Sequence, residues 1–347
     1  MPVRTPLVIA AVATLAVGAL TACQTKSGGS SGSNAKSVSI MVGGLDKVIY
    51  LPAELSERLG YFKDEGLKVK LQSQPSGANA ETALVAGQVD AVVGFYDHTI
   101  DLQAKGKCLT SVVQFANVPG EVEIVGTRSK ITSPAQFAGK KLGITSPGSS
   151  TDFLTQYLAG KAGVPSSKFT TVAAGAGATF IAALQNGGID AGMTTDPTAQ
   201  QIKEKMLGTV LLDMRTEAGT RAALGGLYPA SSLYMDCSYV KKNPETVQKL
   251  ANAFVKTLGF INDHSGAEIA AKMPSDYASG SGGRSSYAAA IDASKGMFGR
   301  TGVMDAAGAR NVLTVLSKFN PDVKGKADSI DLTKTYETSF ARKASAG

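Results

Sequence analysis

Histidine and cysteine are scarce: the 347 residues include two histidines, three cysteines and no tryptophan. His98 and His264 are therefore the only imidazoles that can act as general bases, and the Gly-x-Ser-x-Gly string Gly28–Gly32 sits in a Ser/Gly-rich stretch rather than in a strand-to-helix elbow that would expose a serine nucleophile. No Cys/His run has metal-ligand spacing, so neither a metal nor any other cofactor is expected. Helix-turn-helix, finger and base-stacking motifs are also missing, and the net charge of +7 is scattered along the chain rather than gathered with aromatics. Nucleic acid is accordingly not an expected partner. Beyond Leu20 no apolar run reaches the length needed to span a bilayer.

What is present begins at the N-terminus. Arg4 precedes an apolar run from Leu7 to Leu20, too short to span comfortably, in the pattern of a signal peptide covering residues 1–22. The run closes on Leu20-Thr21-Ala22-Cys23, the arrangement of a bacterial lipoprotein signal, which makes Cys23 the expected lipidation site. Ordinary secretory cleavage beside an incidental cysteine is the alternative. Residues 23–37, rich in Ser and Gly, read as a flexible tether. Two or more acyl chains hold a protein at a membrane stably. The globular part is thus expected outside the cytoplasmic membrane, anchored by lipid in the periplasm or on the outer face. Cys108 and Cys237 then form either a disulfide or two buried thiols, and spacing alone leaves both open.

One hundred positions separate two copies of the same pattern: Gly77-Ala78-Asn79 through Gly87-Gln88-Val89-Asp90-Ala91, and Gly177-Ala178-Thr179 through Gly187-Gly188-Ile189-Asp190-Ala191. In each, a Gly-Ala start leads into an apolar helical run, Gly ends it, and Val/Ile-Asp-Ala opens a buried strand. Two related α/β lobes with a ligand cleft between them follow from this. Strand and helix patterns alternate elsewhere, as a mainly parallel sheet requires. Strands are expected at Val38–Val42, Lys68–Leu71, Leu109–Phe115, Lys141–Thr145 and Phe169–Ala173. Helices are expected at Pro52–Leu59, Ser150–Gly160, Pro244–Ile261 and Ala306–Phe319, and a loop at Ser275–Ser286. Glu121–Thr127 reads as an extended exit from the first lobe and Leu227–Asp236 as the extended return. The lobes are assigned as 38–122 with 229–347, and 123–228.

Tyr50-Leu51-Pro52-Ala53-Glu54-Leu55, Gly60-Tyr61-Phe62-Lys63-Asp64-Glu65-Gly66-Leu67, Ala86-Gly87-Gln88-Val89-Asp90-Ala91 and Ser133-Pro134-Ala135-Gln136-Phe137-Ala138-Gly139-Lys140 occur in this order. They resemble the solute-binding proteins of ABC importers in the nitrate/sulfonate/taurine and thiamine-precursor group. The resemblance implies a type II two-lobed periplasmic-binding fold with two hinge crossings, closure on a small-molecule solute, and permease and ATPase subunits as partners of a monomeric binding protein. It leaves the solute open, because this group carries anions, zwitterions and heterocycles on one scaffold.

Candidate ligand contacts lie at strand ends and helix starts. Thr145-Ser146-Pro147-Gly148-Ser149-Ser150-Thr151 joins a strand to a helix, so Ser146, Ser149, Ser150 and Thr151 either hold an oxyanion or cap the helix. Gly77 opens its helix with exposed amides, and Asn79 follows it. Asp46 ends the first strand loop, Asp97 and His98 follow the strand of the first repeat, and Asp196 occupies the matching loop of the second. Tyr96 and Tyr228 supply a stacking face, a hydroxyl or simple core packing. The acidic balance of these loops, set against Lys47, favours a solute with a positive or hydrogen-donating part. The alternative is that Asp97 and Asp196 cap helices and face away. Asp97 and Asp196 also offer a paired-carboxylate arrangement of the kind a glycoside hydrolase uses, against which the resemblance argues. The expected function is binding rather than catalysis, delivery to a transporter, with a sensor co-receptor as the alternative.

Overall fold

The computed structural model describes residues 35–279 and 282–346. The signal segment, Cys23 and the tether up to residue 34 lie outside the described residues. In chain order the strands are β1 (Lys36–Val42), β2 (Leu67–Ser73), β3 (Ala91–Phe95), β4 (Leu109–Gln114), β5 (Glu121–Gly126), β6 (Lys141–Ile144), β7 (Thr170–Ala173), β8 (Ala191–Thr195), β9 (Gly208–Asp213) and β10 (Ser231–Asp236). They form two five-stranded sheets, ordered β2-β1-β3-β10-β4 and β7-β6-β8-β5-β9.

The two sheets share one topology. Four strands run in one direction in each, and the antiparallel member is the strand that has just arrived from the other sheet: β5 follows β4, and β10 follows β9. The chain therefore crosses twice between two α/β lobes. β3, β4, β5 and β8 are buried along their whole length, as strands covered by helices on both faces must be.

The repeated Asp-Ala step has a physical cause. Asp90 Oδ2 accepts from the Ser39 backbone N–H (2.8 Å) and hydroxyl (2.7 Å), and Asp190 Oδ2 accepts from the Lys141 N–H at 2.9 Å. The main chain reciprocates, with Asp90 N–H to Ser39 O at 3.0 Å and Asp190 N–H to Lys141 O at 2.8 Å. In both lobes the carboxylate clamps the neighbouring strand and sets the registers Ile40↔Ala91 and Leu142↔Ala191. Gly87 and Gly187, at φ 70° and 75°, reverse the chain out of the preceding helices, Gly77–Val85 and Ala178–Gln185, in a conformation that side chains resist.

C-terminal helices complete the first lobe. Pro244–Asp263 buries Val247, Leu250, Phe254, Leu258 and Ile261, one helical stripe. Phe254 sits between Phe62 and Phe115, with ring centroids 5.2 and 4.9 Å away. The helix expected at Ala306–Phe319 has those bounds. Cys108 and Cys237 are joined in a disulfide with Cα atoms 5.5 Å apart, at the start of β4 and just past the end of β10. A cross-link over 129 residues restricts the unfolded chain and contributes about 2–4 kcal/mol.

Three expectations change. β1 begins at Lys36, inside the stretch read as tether, because Lys36 and Ser37 pair with Leu67 and Lys68. Ser275–Ser286 is not a loop throughout: it holds a short 3-10 turn, Ser275–Ala278, and the start of the helix Gly283–Ser294. Burial of Tyr287, Ala290, Ile291 and Ser294 on one face overrides the weak local preference of Ser and Gly. The helix Gly266–Lys272 was also missed, although Ser265 and Glu268 form a capping box visible as Ser-x-x-Glu.

Candidate functional site

The parallel strands of both lobes point their C-terminal ends at a common, nearly closed cleft with about 20 Å³ of free space. The first lobe contributes Lys47, Ile49, Tyr50 and Gly77. The second contributes Thr145, Ser149, Ser150, Thr151, Ala176, Thr194 and Thr195, and Glu121 reaches in from the crossing strand β5. Hydrogen bonds draw the lobes together around it. Ser150 Oγ donates to Asp97 Oδ1 at 2.9 Å, Val48 N–H to the Asp196 carbonyl at 2.9 Å, and Ser294 Oγ to Asp196 Oδ2 at 2.6 Å.

Of the residues anticipated from sequence, Gly77, Ser149, Ser150 and Thr151 line this cleft. Asp97 and Tyr228 lie beside it, fully buried, with the Tyr228 hydroxyl donating to Asp97 Oδ2 at 2.8 Å. Burial pushes the Asp97 carboxyl up, against the opposing pull of His98, Tyr228 and Ser150. His98 is 1% exposed, with Nδ1 3.2 Å from Glu81 Oε2 and 3.3 Å from the Tyr234 hydroxyl. Its Nε2 lies 3.5 Å from Ser150 Oγ, but the serine proton is directed at Asp97.

The hydroxyl loop largely satisfies itself. Ser149 Oγ donates to Ser146 O (2.7 Å) and contacts Thr151 Oγ1 (2.7 Å), which in turn accepts from the Thr145 N–H at 2.9 Å. Ser149 therefore makes no side-chain cap on the helix Ser150–Lys161, whereas Ser146 Oγ is enclosed without a partner among the described residues.

Four anticipated contacts are placed elsewhere. Tyr96 is packed in the core with its hydroxyl 2.6 Å from Thr335 Oγ1. Asp46 is exposed on a separate surface depression with Gly177, Asp276 and Tyr277. Asn79 is exposed and pairs with Ser76, the N-cap of its own helix. Asp196 is fully buried and occupied by Ser294, by Arg215 Nη1 at 3.1 Å and by the Gln200 N–H at 3.0 Å. The oxygens of Asp97 and Asp196 thus already face protein donors.

Sequence reasoning passed over the polar groups that are free. Glu121 is 2% exposed, accepts no hydrogen bond among the described residues, and has Oε2 fully enclosed. Burial first, then the nearby Asp97 charge, pushes its carboxyl well above the usual range. Lys47 anchors its ammonium on Gly43 O (2.7 Å) and Pro75 O (3.0 Å), and burial lowers it to about 8. Two of its three N–H donors are thus used and one remains. The available signal was the alternation Glu121-Val122-Glu123-Ile124-Val125, which puts two carboxyls on one face of an otherwise apolar strand.

Comparison with known proteins agrees with this architecture. A protein of solved structure from Bordetella bronchiseptica RB50 superposes with a TM-score of 0.85 at 34% identity, covering 89% of this chain and 97% of that one. The alkanesulfonate-binding protein SsuA from Xanthomonas axonopodis pv. citri, bound to MOPS, has the same fold at 16% identity and a TM-score of 0.67, covering 87% of this chain and 98% of that one. The 4-amino-5-hydroxymethyl-2-methylpyrimidine phosphate synthase THI13 of Saccharomyces cerevisiae is 27% identical over 221 residues, 61% of this chain. The match spans 63% of the length of that relative. Residues 51–266 match the family model described as NMT1/THI5 like. Through that match, and a repeat and double crossing that place one cleft between two alike lobes, the chain belongs to the NMT1/THI5-like family.

Proposed function

We propose that the protein is an extracytoplasmic solute-binding lipoprotein that closes two lobes on a small polar solute and delivers it to the permease and ATPase of an ABC importer. The observation that carries this reading is the pair of topologically identical sheets joined by β5 and β10, with one cleft lined from both sides. The disulfide accords with an oxidising compartment. Among the described residues no helix is long and apolar enough to cross a membrane, so attachment rests on the lipid expected at Cys23. Substituting Cys23→Ser is expected to move the protein from the membrane to the soluble or secreted fraction. Retention on membranes would remove the anchor.

Binding is tested by thermal shift against sulfonates, nitrate, taurine and aminopyrimidines, followed by solution scattering with any hit. A ligand that binds only the native state raises stability by about 2.7 kcal/mol at a hundredfold excess over Kd. The expected result is a stabilised protein whose radius of gyration shrinks on binding. A hit without compaction would count against hinged capture. The likeness to THI13 supports a second reading, pyrimidine chemistry in the same cleft. Product formed from a bound probe would favour it, and recovery of the probe unchanged would favour transport.

A further inference from the structure

We propose that Glu121 recognises an N–H-bearing group of the solute while Lys47 holds an acceptor of the same molecule, so that the cleft selects an amino-substituted compound over its unsubstituted analogue. This rests on the solute-binding reading above and specifies the chemistry of that cleft.

The contrast among the buried acids carries the inference. Asp97 receives two side-chain hydroxyl donors, and Asp196 receives two side-chain donors and one backbone N–H. Both are satisfied within the protein. Glu121 is buried to the same degree and receives none among the described residues, yet it lines the cleft where the lobes meet. A buried polar group without a partner is costly, and a site that leaves one bare is completed by whatever enters it.

Its position defines the complement. A carboxylate accepts only, so the group facing it has to donate. Lys47, on the opposite lobe, has one N–H left after Gly43 and Pro75 and requires an acceptor. A primary amine, amidine or amino-heterocycle with an acceptor a few bonds away meets both demands. A bare anion meets only the second and leaves an ionised Glu121 unpaired or repelled. Burial favours the protonated carboxyl of Glu121 in the empty cleft, and a donor-bearing solute shifts it toward the acceptor form, because hydrogen bonds to the ionised carboxylate favour that form.

The test uses matched probes that differ by one amino group: taurine against ethanesulfonate, and 4-aminopyrimidine against pyrimidine. Calorimetry with the intact mature protein is expected to show tighter binding of the amino-bearing member of at least one pair, by roughly tenfold to a hundredfold, the range for a hydrogen bond to a charged group. In Glu121→Gln that preference is expected to collapse, while Glu123→Gln, whose side chain is not part of the cleft lining, keeps it. The wild-type comparison stands even if the Glu121 variant folds poorly. Equal affinity within both pairs, a preference that survives Glu121→Gln, or no binding of either amino-bearing probe would overturn the inference. Compaction on some other solute would still support hinged capture, so the two proposals fail separately.

Discussion

Between pH 5 and pH 8 the mature protein is expected to lose about 2–4 kcal/mol more unfolding free energy than its Glu123→Gln variant. Glu123 is wholly buried on β5 between Met193 of β8 and Leu212 of β9, and neither carboxyl oxygen has a partner among the described residues. Burial alone raises it from 4.5 to about 8. Its sign follows from proton counting. Below pH 4.5 folded and unfolded chains both hold the proton. Between 4.5 and 8 only the folded chain does, so each rise in pH favours unfolding until the folded carboxyl ionises near 8. Glu121 acts in the same direction and is present in both proteins, so the difference between them reads Glu123 together with the smaller push that its charge gives Glu121. Lys47, lowered from 10.5 to about 8, acts above this window and in the opposite sense. Urea unfolding at several pH values, with the disulfide intact, reads the effect. Parallel curves for the two proteins would mean that Glu123 is solvated or paired.

Replacing Asp196 by Ala is expected to cost about 3–5 kcal/mol, the range for removing one partner of a buried charge pair. The carboxylate joins three separate elements. It holds Arg215 beyond β9, the Ser294 hydroxyl at the end of the helix Gly283–Ser294, and the Gln200 N–H in the first turn of the helix Thr198–Glu204. Arg215 retains Asp213, at 2.6 Å, but Ser294 is left buried without that partner. The loss should exceed that of Asp196→Asn, which keeps one acceptor oxygen, and equilibrium unfolding of both variants checks the order. Equal stability of the Ala variant and the native protein would mean that water or a neighbouring group replaces the carboxylate.

The different roles of Asp97, Asp196 and Glu121 show where local sequence stops being informative. Asp97 and Asp196 stand out in sequence because they follow matched strands in a repeat, and in that position each closes the C-terminal end of its strand with donors that include groups far away in the chain. Glu121 carries no motif. It becomes a candidate because β5 is the first residue stretch to enter the second sheet, and because no donor among the described residues reaches it. Lys47 likewise shows in the sequence only as one charge beside Asp46, whereas its ammonium is held inside by two carbonyls.

The elements that depend on periodicity and local chain chemistry are legible in the order of residues alone. These are the two copies with their Gly and Asp-Ala steps, the apolar strands, the amphipathic helix Ala306–Phe319, and the two extended segments that became β5 and β10. Apolar spacing and glycine conformation act within a few residues, so they can be read in a line. The pairing of Cys108 with Cys237, the helix inside the Ser- and Gly-rich stretch near residue 283, and which buried acids are satisfied emerge from long-range packing. Each of these depends on partners brought close by folding from distant parts of the chain, Tyr228 and Ser150 for Asp97, Ser294 for Asp196, and none for Glu121 among the described residues. A hydrogen bond needs its two atoms within about 3 Å, and no spacing in the sequence encodes that distance.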